Sequence, residues 1–200
     1  MLEFFKAIYY WFCTFLVAIS SFIFYPCKVY GRDNVPRQGG FILASNHASN
    51  LDPMLLPVAC PRQMRFMAKE ELFKNPILGA VIRTGGGFPI KRGTADRGAI
   101  NEFIRQLKNG YAVMIFPQGT RGGEKPQAGV GFLAATSGMP VVPTYIHGTD
   151  QVLPKGAKFP KRIAVSVTFG KPVVFSKDQA YDQIAKDVMD MIKRLKPLSA

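Results

Sequence analysis

The chain has 200 residues, 48% of them hydrophobic, which is enough to bury the core of one domain without disulfide or metal staples. This apolar content excludes an intrinsically disordered chain, and an odd count of three cysteines without a CxxC pair excludes a disulfide scaffold. Twenty-six lysines and arginines against 13 acidic residues give a net charge of +13, which predicts an anionic partner: a nucleic acid, a phosphate-bearing substrate or a membrane surface.

The N-terminal segment, residues 1–30, has the composition of a membrane anchor. Residues 7–25 are a run of 19 residues without a charge, which as a helix would be about 28 Å long, close to the thickness of a bilayer's hydrocarbon core. Ten of the 24 aromatic residues lie in residues 1–25, and aromatic side chains favour the membrane boundary. Spanning and in-plane insertion both fit this pattern, and a buried core helix is the alternative.

The charge distribution predicts where the rest of the chain lies. Residues 1–30 carry a net charge of +1, which leaves +12 on residues 31–200. The positive-inside tendency places this body on the cytoplasmic side of the cytoplasmic (inner) membrane, against anionic lipids. The three scattered cysteines agree with a reducing compartment.

Residues 31–200 alternate between strand and helix patterns along the chain. The predicted elements, in order, are a strand at 41–45, a helix at 53–59, a strand at 64–68, helices at 70–75 and 76–83, a strand at 88–90, a helix at 95–108, a strand at 111–116, a helix at 130–136, strands at 141–146 and 163–169, and a helix at 178–195. The alternation predicts a single α/β domain with a central, mostly parallel or mixed sheet flanked by helices. Functional groups are then expected in the loops that follow the carboxyl ends of the strands.

His47 follows the first strand of this body, within the string SNHASNLDP at residues 45–53. Ser49 can cap the next helix, with Asp52 in a capping-box relation to it. Asp52 would then lie at a helix N-terminus, which favours an ionised carboxylate, and the turn can fold that carboxylate back onto the His47 ring. An imidazole held by a carboxylate is a general base, and a structural turn with a surface histidine is the alternative.

Two further strings combine cations with glycine-rich turns. GGGFPIKRG at residues 85–93 places Lys91 and Arg92 at a strand end, and FPQGTRGG at 116–123 places Gly119 and Arg121 in a turn after another strand. Such turns expose backbone N–H groups that suit anions, and arginine can hold a phosphate through two parallel hydrogen bonds. The alternatives are an ordinary turn and a solvated charged surface.

Several other chemistries lack their motifs. The sequence contains no HExxH or cysteine cluster for a metal and no GxSxG nucleophile elbow. A GxGxxA string at residues 129–134 follows a polar loop rather than a strand, which argues against a dinucleotide site. The aromatic residues are concentrated near the N-terminus, so no basic surface interleaved with aromatics is available for nucleic acid.

Four motifs in one order carry a family resemblance: His47 and Asp52 separated by four residues, then GFPIKR, FPQGTR and VVPT, within residues 45–146. They resemble the motifs of the glycerolipid acyltransferases, and most closely those of the short bacterial type that acylates 1-acylglycerol 3-phosphate. The resemblance implies an acyltransferase domain at 31–200, attached to a phospholipid membrane by residues 1–30. It implies transfer of a fatty acyl chain from acyl-CoA or acyl-carrier protein to the sn-2 hydroxyl, giving phosphatidic acid in phospholipid biosynthesis, without a metal or other cofactor.

The same resemblance implies roles for individual residues. His47 matches the catalytic base, Asp52 matches the residue that orients it, and Pro143 matches a proline that shapes the acyl or acceptor site. The acceptor phosphate would be held by Lys91, Arg92, Gly119, Thr120 and Arg121. A backbone N–H near His47 or in the Gly119 turn is expected to stabilise the oxyanion.

The chain departs from the family pattern at Gln118, where the family usually has glutamate. Glutamine can substitute if this side chain only fixes the loop by hydrogen bonding, whereas rate or acceptor choice would change if a charge is needed. Two alternative functions stay open on the sequence. One is an acyltransferase for another acceptor, such as glycerol 3-phosphate or a different lysophospholipid; the other is a non-catalytic membrane-binding domain.

Overall fold

A mixed β-sheet runs through the centre of the protein. The computed structural model describes residues 8–10, 12, 26–90, 97–119, 123, 126–152, 154, 159 and 161–197. The strands in these residues are β1 (Cys27–Tyr30), β2 (Phe41–Ser45), β3 (Met64–Lys69), β4 (Gly87–Ile90), β5 (Ala112–Ile115), β6 (Val141–His147) and β7 (Val165–Phe169). They form one sheet in the order β1-β7-β6-β2-β5-β3-β4, parallel throughout except for the antiparallel pair β6 and β7.

Helices connect and cover the strands. The α-helices of the described residues are α1 (Asp52–Ala59), α2 (Pro76–Thr84), α3 (Arg97–Lys108), α4 (Ala128–Ser137), the single turn α5 (Thr149–Val152) and α6 (Tyr181–Arg194). Two short 3-10 helices are also present, Arg32–Asn34 and Glu70–Phe73.

The core lies on both faces of the sheet, because successive side chains of a strand point to opposite sides. On one side, which we call the α1 face, Phe41 and Leu43 of β2 pack with the buried leucines of α1. On the other, the α6 face, Ile42 and Ala44 pack with α3, α4 and α6. All five residues of β2 are buried, which makes this strand a rigid base for the loop that follows it.

The predicted α/β class is confirmed as a mixed sheet, and every predicted strand is present with its ends within two residues. Instead of the helix predicted at residues 70–75, the structure has a 3-10 helix over Glu70–Phe73. Asn75 is not part of it, because Asn75 caps α2 with its side chain, which accepts a hydrogen bond from the Leu78 N–H (2.9 Å). The helix predicted at 178–195 begins only at Tyr181. Ser176, whose hydroxyl accepts the Asp178 N–H at 3.3 Å, holds the preceding residues in a turn.

Strand β1 was not predicted, and its four residues belong to the segment 1–30 that the sequence analysis set apart. It pairs in parallel with β7, so that Cys27 lies opposite Val165. The strand is short and alternates between half-buried and exposed residues at the edge of the sheet. Its partner lies more than 130 residues away in the chain, so nothing local to residues 27–30 specifies the pairing.

Little of the predicted membrane anchor lies within the described residues. Residues 8–10 and 12 are helical, and Tyr10 is buried, with its hydroxyl accepting a hydrogen bond from the Met64 N–H at the start of β3 (3.0 Å). Ile8, Tyr9 and Phe12 are exposed. Within the part of the chain that is described, no helix has both the length and the apolar character that crossing a membrane requires. The anchor stays a prediction.

Candidate active site

The loop from β2 to α1 lies at the carboxyl end of the strand that separates β5 from β6. Asn46 begins this loop and is bound to β6. Its side-chain amide donates to the Ile146 carbonyl at 2.9 Å, and its side-chain oxygen accepts the Ile146 N–H at 2.7 Å. This pair of hydrogen bonds fixes the direction in which the chain leaves β2, and therefore the position of His47.

Asp52 is the first residue of α1, is fully buried, and receives hydrogen bonds from four groups. Its Oδ2 accepts from His47 Nδ1 at 2.9 Å, from the Ala48 N–H at 2.7 Å and from the Ser49 N–H at 2.8 Å. Its Oδ1 accepts from the Thr149 hydroxyl at 2.6 Å. Donors of this kind offset the cost of burying a carboxylate. The predicted contact between His47 and Asp52 is present.

The predicted capping box forms only in part. Asp52 Oδ2 accepts the Ser49 N–H as such a box requires, but the Ser49 hydroxyl accepts from the Leu51 N–H at 3.3 Å. The Asp52 N–H donates instead to the Ser49 carbonyl at 3.2 Å. The residues after Ser49 form a turn that brings the carboxylate to the histidine ring, so α1 starts at Asp52, later than a Ser49 cap would allow.

The His47 ring lies between the Asp52 carboxylate and an aromatic ring. It stacks on Phe116, which follows β5, with the ring centroids 4.1 Å apart and 18° between the planes. Because Asp52 Oδ2 is an acceptor, Nδ1 carries the proton of the neutral ring and Nε2 is left as a proton acceptor. The side chain is 14% exposed, so a small part of it is open to a reactant.

Gln118 joins His47 to the glycine turn after β5. Its side-chain oxygen accepts the His47 N–H at 2.9 Å, and its side-chain amide donates to the Gly123 carbonyl at 2.6 Å. A glutamate could make the first bond but, when ionised, has no proton for the second. The structure therefore favours the first of the two readings of Gln118, in which this side chain fixes the loop by hydrogen bonding.

Backbone N–H groups close to His47 are already engaged. The His47 N–H donates to Gln118, the Ala48 and Ser49 N–H groups donate to Asp52, and the Gly119 N–H donates to the Phe116 carbonyl at 2.9 Å. These four groups are among the candidates for the expected oxyanion donor, and in this arrangement none of the four is free, because each has its hydrogen bond within the protein. The N–H groups of residues 120–122, which belong to the same turn, lie outside the described residues.

The structure places only some of the residues predicted to hold the acceptor phosphate. Gly119 lies in the turn after β5 with φ of +68°, a conformation that favours glycine. Lys91, Arg92, Thr120 and Arg121 lie outside the described residues. Lys91 directly follows Ile90, the last residue of β4, and Thr120 directly follows Gly119.

Pro143 lies inside the sheet. It is buried in β6, paired with Ala44 of β2, and its ring fills the space beside Gly170. Ala44 precedes His47 by three residues, so Pro143 lies in the strand that supports the loop of His47. Its predicted role in shaping a substrate site stays a prediction.

A cavity of about 1120 Å³ lies along β4 and contains part of the GGGFPIKRG string. Its lining includes Gly86, Gly87, Arg65 and Arg105, and does not include His47 or Asp52. Arg105 is bound by Glu102 at 2.7 Å, and this hydrogen bond lowers the pKa of the Glu102 carboxyl. The positive charge of this cavity is therefore partly neutralised by its two acidic residues, Glu70 and Glu102.

Cysteine does not supply an alternative nucleophile in the described residues. Burial raises the pKa of Cys27 and of Cys60 to about 11, although Arg32 acts in the opposite direction on both. At neutral pH both thiols are protonated, and the protonated form is a poor nucleophile.

Sequence reasoning missed three residues that hold the site together, namely Asn46, Phe116 and Thr149. Asn46 and Phe116 stand inside the strings that were singled out, but their contacts cross to neighbouring strands. Thr149 is fully buried and lies 97 residues from Asp52 in the chain. The one signal for it was its place just after a predicted strand, where functional groups are expected.

Replacing Thr149 with valine should lower about tenfold the kcat of a reaction in which His47 is the base, and should leave KM close to that of the parent chain. Valine has nearly the shape of threonine but cannot donate to Asp52 Oδ1, so the carboxylate that holds His47 loses one of its four donors. Steady-state kinetics over a range of pH would measure this. Thr149→Ser keeps the hydroxyl and should restore kcat, and a valine variant with the parent's kcat and pH profile would contradict the role.

Comparisons with known proteins agree on one family. The family model described as Acyltransferase matches residues 26–147. The 1-acyl-sn-glycerol-3-phosphate acyltransferase of Bacillus subtilis is 32% identical over 149 residues, which cover 73% of each chain. The protein of the same name from Streptococcus pneumoniae is 31% identical over 174 residues, covering 83% of this chain and 64% of its own length.

A solved structure shares the fold. The crystal structure of the 1-acyl-sn-glycerophosphate acyltransferase PlsC from Thermotoga maritima matches this chain with a TM-score of 0.80 and 27% sequence identity. The match covers 100% of this chain and 85% of that one.

Proposed function

This chain belongs to the acyltransferase family, and we propose that it is the enzyme that acylates the sn-2 hydroxyl of 1-acylglycerol 3-phosphate, giving phosphatidic acid. The observation that carries the proposal is the His47 ring held by the buried Asp52 carboxylate at the carboxyl end of β2. The names of the relatives from Bacillus subtilis and Streptococcus pneumoniae support this choice of acceptor.

His47 acts as the general base in this proposal. A lipid hydroxyl is a poor nucleophile, so Nε2 takes its proton as the hydroxyl oxygen attacks the carbonyl carbon of the acyl thioester. The imidazolium formed is stabilised by Asp52, whose Oδ2 lies 2.9 Å from Nδ1. When the tetrahedral intermediate collapses, the C–S bond breaks and the imidazolium returns its proton to the leaving thiolate. Because the thioester is already activated, the scheme requires no covalent enzyme intermediate.

The acceptor's phosphate is held by the cations that follow β4 and β5. Lys91 and Arg92 follow one strand, and Thr120 and Arg121 follow Gly119 after the other. β5 pairs directly with β2, and Gln118 joins the turn after β5 to His47, so phosphate binding at this turn would position the hydroxyl for the base.

The acyl donor and the location belong to the same proposal. Acyl-CoA and the acylated form of acyl-carrier protein both present a thioester, and either would serve the chemistry described. The apolar segment 7–25 and the net charge of +12 on residues 31–200 support attachment to the cytoplasmic face of the cytoplasmic membrane. A lipid acceptor and a lipid product both reside in a membrane, which agrees with such an attachment.

Acyl transfer to a panel of acceptors tests the proposal. Acyl-CoA and acylated acyl-carrier protein, each with a radiolabelled acyl chain, would be the donors. The acceptors would be 1-acylglycerol 3-phosphate, glycerol 3-phosphate, lysophosphatidylcholine and monoacylglycerol. We expect kcat/KM for 1-acylglycerol 3-phosphate to exceed that for monoacylglycerol by at least about a hundredfold, because the latter has no phosphate for the cations to bind. A higher value for another acceptor would replace the proposed one.

Arg121→Ala gives the panel an internal check. This variant should lower kcat/KM for the phosphorylated acceptor and leave monoacylglycerol transfer at its basal rate. Lys193→Ala, which removes an exposed cation near the end of α6, is the matched control and should change neither. An equal loss with both acceptors in Arg121→Ala would show that Arg121 does not act on the phosphate.

A further inference from the structure

Four large apolar side chains lie exposed on the 3-10 helix Glu70–Phe73 and on α2. They are Leu72, Ile77, Leu78 and Val81, with exposed fractions of 40%, 77%, 43% and 49%, and we call this set the α2 patch. Surface helices normally turn their apolar side toward the core. In α2 only Gly79 is buried, and Ile77, Leu78 and Val81 point outward.

The helix that carries the α2 patch is firmly attached to the domain. Asn75 caps its N-terminus with a side-chain hydrogen bond to the Leu78 N–H at 2.9 Å. Gly79 lies so close to the Phe73 backbone that a Cβ at this position would clash. Ile82 packs against Gly87 of β4. The exposure of the patch is therefore a property of a formed helix held in one place.

The α2 patch lies on the same side of the sheet as the candidate active site. Ile82 and Phe66 both approach Gly87, and Phe66 packs into the core of the α1 face. Phe116, on which the His47 ring stacks, packs into this same core. The patch and the histidine are thus on the α1 face together.

Other exposed apolar residues lie near Met64, which the end of α2 also approaches. Tyr10 is attached to Met64 at the start of β3, and Gly86, which follows α2, lies against the carbonyl of that same Met64. Ile8 and Phe12, on either side of Tyr10, are exposed. Tyr10 and the residue after α2 therefore both lie close to Met64, and apolar side chains near each of them are exposed.

Cations border the α2 patch. Lys69 and Lys74 flank the 3-10 helix, and Arg83 lies in the last turn of α2 with its guanidinium 5.1 Å from the centre of the Phe73 ring. Glu70 and Glu71 offset two of these charges, so residues 69–84 carry a net +1 within a chain of +13. Apolar side chains bordered by lysine and arginine are suited to the interface of an anionic bilayer.

We infer that the α2 patch is a second lipid-contacting surface, through which the folded domain itself binds an anionic phospholipid bilayer. The inference rests on the proposed function, because a lipid acceptor requires the His47 face of the sheet to approach the membrane. It goes beyond the predicted anchor, since the contact is made by residues of the α/β domain.

Vesicle binding of the full chain tests this surface. Sedimentation with vesicles of equal parts phosphatidylglycerol and phosphatidylethanolamine would compare the parent chain with the double variant Ile77→Gln, Val81→Gln. We expect the variant's partition coefficient to fall about tenfold, because it replaces two exposed apolar side chains by polar ones. Glutamine is a good helix former, so α2 should be retained.

The matched control removes similar apolar surface elsewhere. Val174 follows β7, and Tyr181 begins α6 on the α6 face of the sheet; they are 61% and 43% exposed. Val174→Gln with Tyr181→Gln should partition as the parent chain does. Equal partitioning of the parent and the Ile77/Val81 variant would overturn the inference. So would a change only in oligomeric state, which would make the patch a contact between protein copies.

Activity measurements with two forms of the acceptor distinguish a failure of this inference from a failure of the proposed function. The Ile77/Val81 variant should lose activity toward 1-acylglycerol 3-phosphate presented in vesicles, and keep it toward a short-chain, monomeric form of the same acceptor. Weaker vesicle binding, with no transfer by the parent chain to either form, would remove the proposed function and leave the lipid surface standing. Equal loss of activity toward both forms would overturn the inference, because it would show that Ile77 and Val81 are needed for the reaction itself rather than for contact with the bilayer.

Discussion

Replacing His47 with alanine is expected to lower kcat for acyl transfer by about a hundred- to ten-thousand-fold, the usual contribution of a general base. The variant loses the imidazole whose Nε2 would take the proton of the attacking hydroxyl. Steady-state acyl transfer at saturating acceptor measures the effect. The fold should persist, because Asp52 keeps its bonds to Ala48, Ser49 and Thr149.

Two controls make the His47 result specific. His147, the chain's other histidine, is exposed at the end of β6, and His147→Ala should leave kcat unchanged. Vesicle binding of His47→Ala should equal that of the parent chain, because neither the segment 7–25 nor the α2 patch is altered. Retention of the parent's turnover by His47→Ala would remove His47 as the base.

Asp52→Asn should affect both activity and stability, because this buried carboxylate accepts hydrogen bonds from four groups. An asparagine side chain can present its oxygen to only some of these donors, and its amide then faces N–H groups that have lost their acceptor. We expect the free energy of unfolding to fall by about 2–4 kcal/mol. We expect kcat to fall by at least about a hundredfold, since the imidazolium loses its counter-charge.

Urea unfolding and steady-state kinetics on the same preparation separate these two effects. Asp150 lies two residues beyond Gly148 on the surface and is the matched control, since Asp150→Asn removes a nearby carboxylate that does not bind His47. That variant should keep both stability and kcat. If Asp52→Asn kept the parent's kcat at temperatures where it is folded, Asp52 would have no role in activating His47.

The family resemblance directed attention to His47 and Asp52 correctly as a pair in contact, but it left Gln118 open. The sequence shows only that glutamine stands where glutamate is usual. The structure shows a side chain that uses both its oxygen and its amide, one toward the His47 N–H and the other toward the Gly123 carbonyl. The hydrogen bond from the His47 N–H to Gln118 forms only because the loop after β2 lies next to the loop after β5. The sequence of either loop alone does not specify that distance.

Local patterns determined most of the secondary structure and the first contact of the site. The strand at 41–45 follows from a short apolar run after two glycines, and it agrees with β2 at both ends. The contact between His47 and Asp52 spans five residues within one turn, so the spacing offered it beside a structural turn with a surface histidine, and the family resemblance favoured the contact. Segments whose conformation depends on neighbours within a few residues are read well from sequence.

Only the tertiary structure decided which elements meet at the site. β2 lies between β5 and β6 in the sheet, so Phe116 and Thr149 reach His47 and Asp52 from opposite sides, one stacking on the ring and the other donating to the carboxylate. The pairing of β2 with β5 also brings Gln118 to the His47 N–H, one of the N–H groups near His47 that the sequence offered for an oxyanion. These contacts join residues up to 97 positions apart. They follow from strand order and register, which are set by the burial of both faces of the whole sheet.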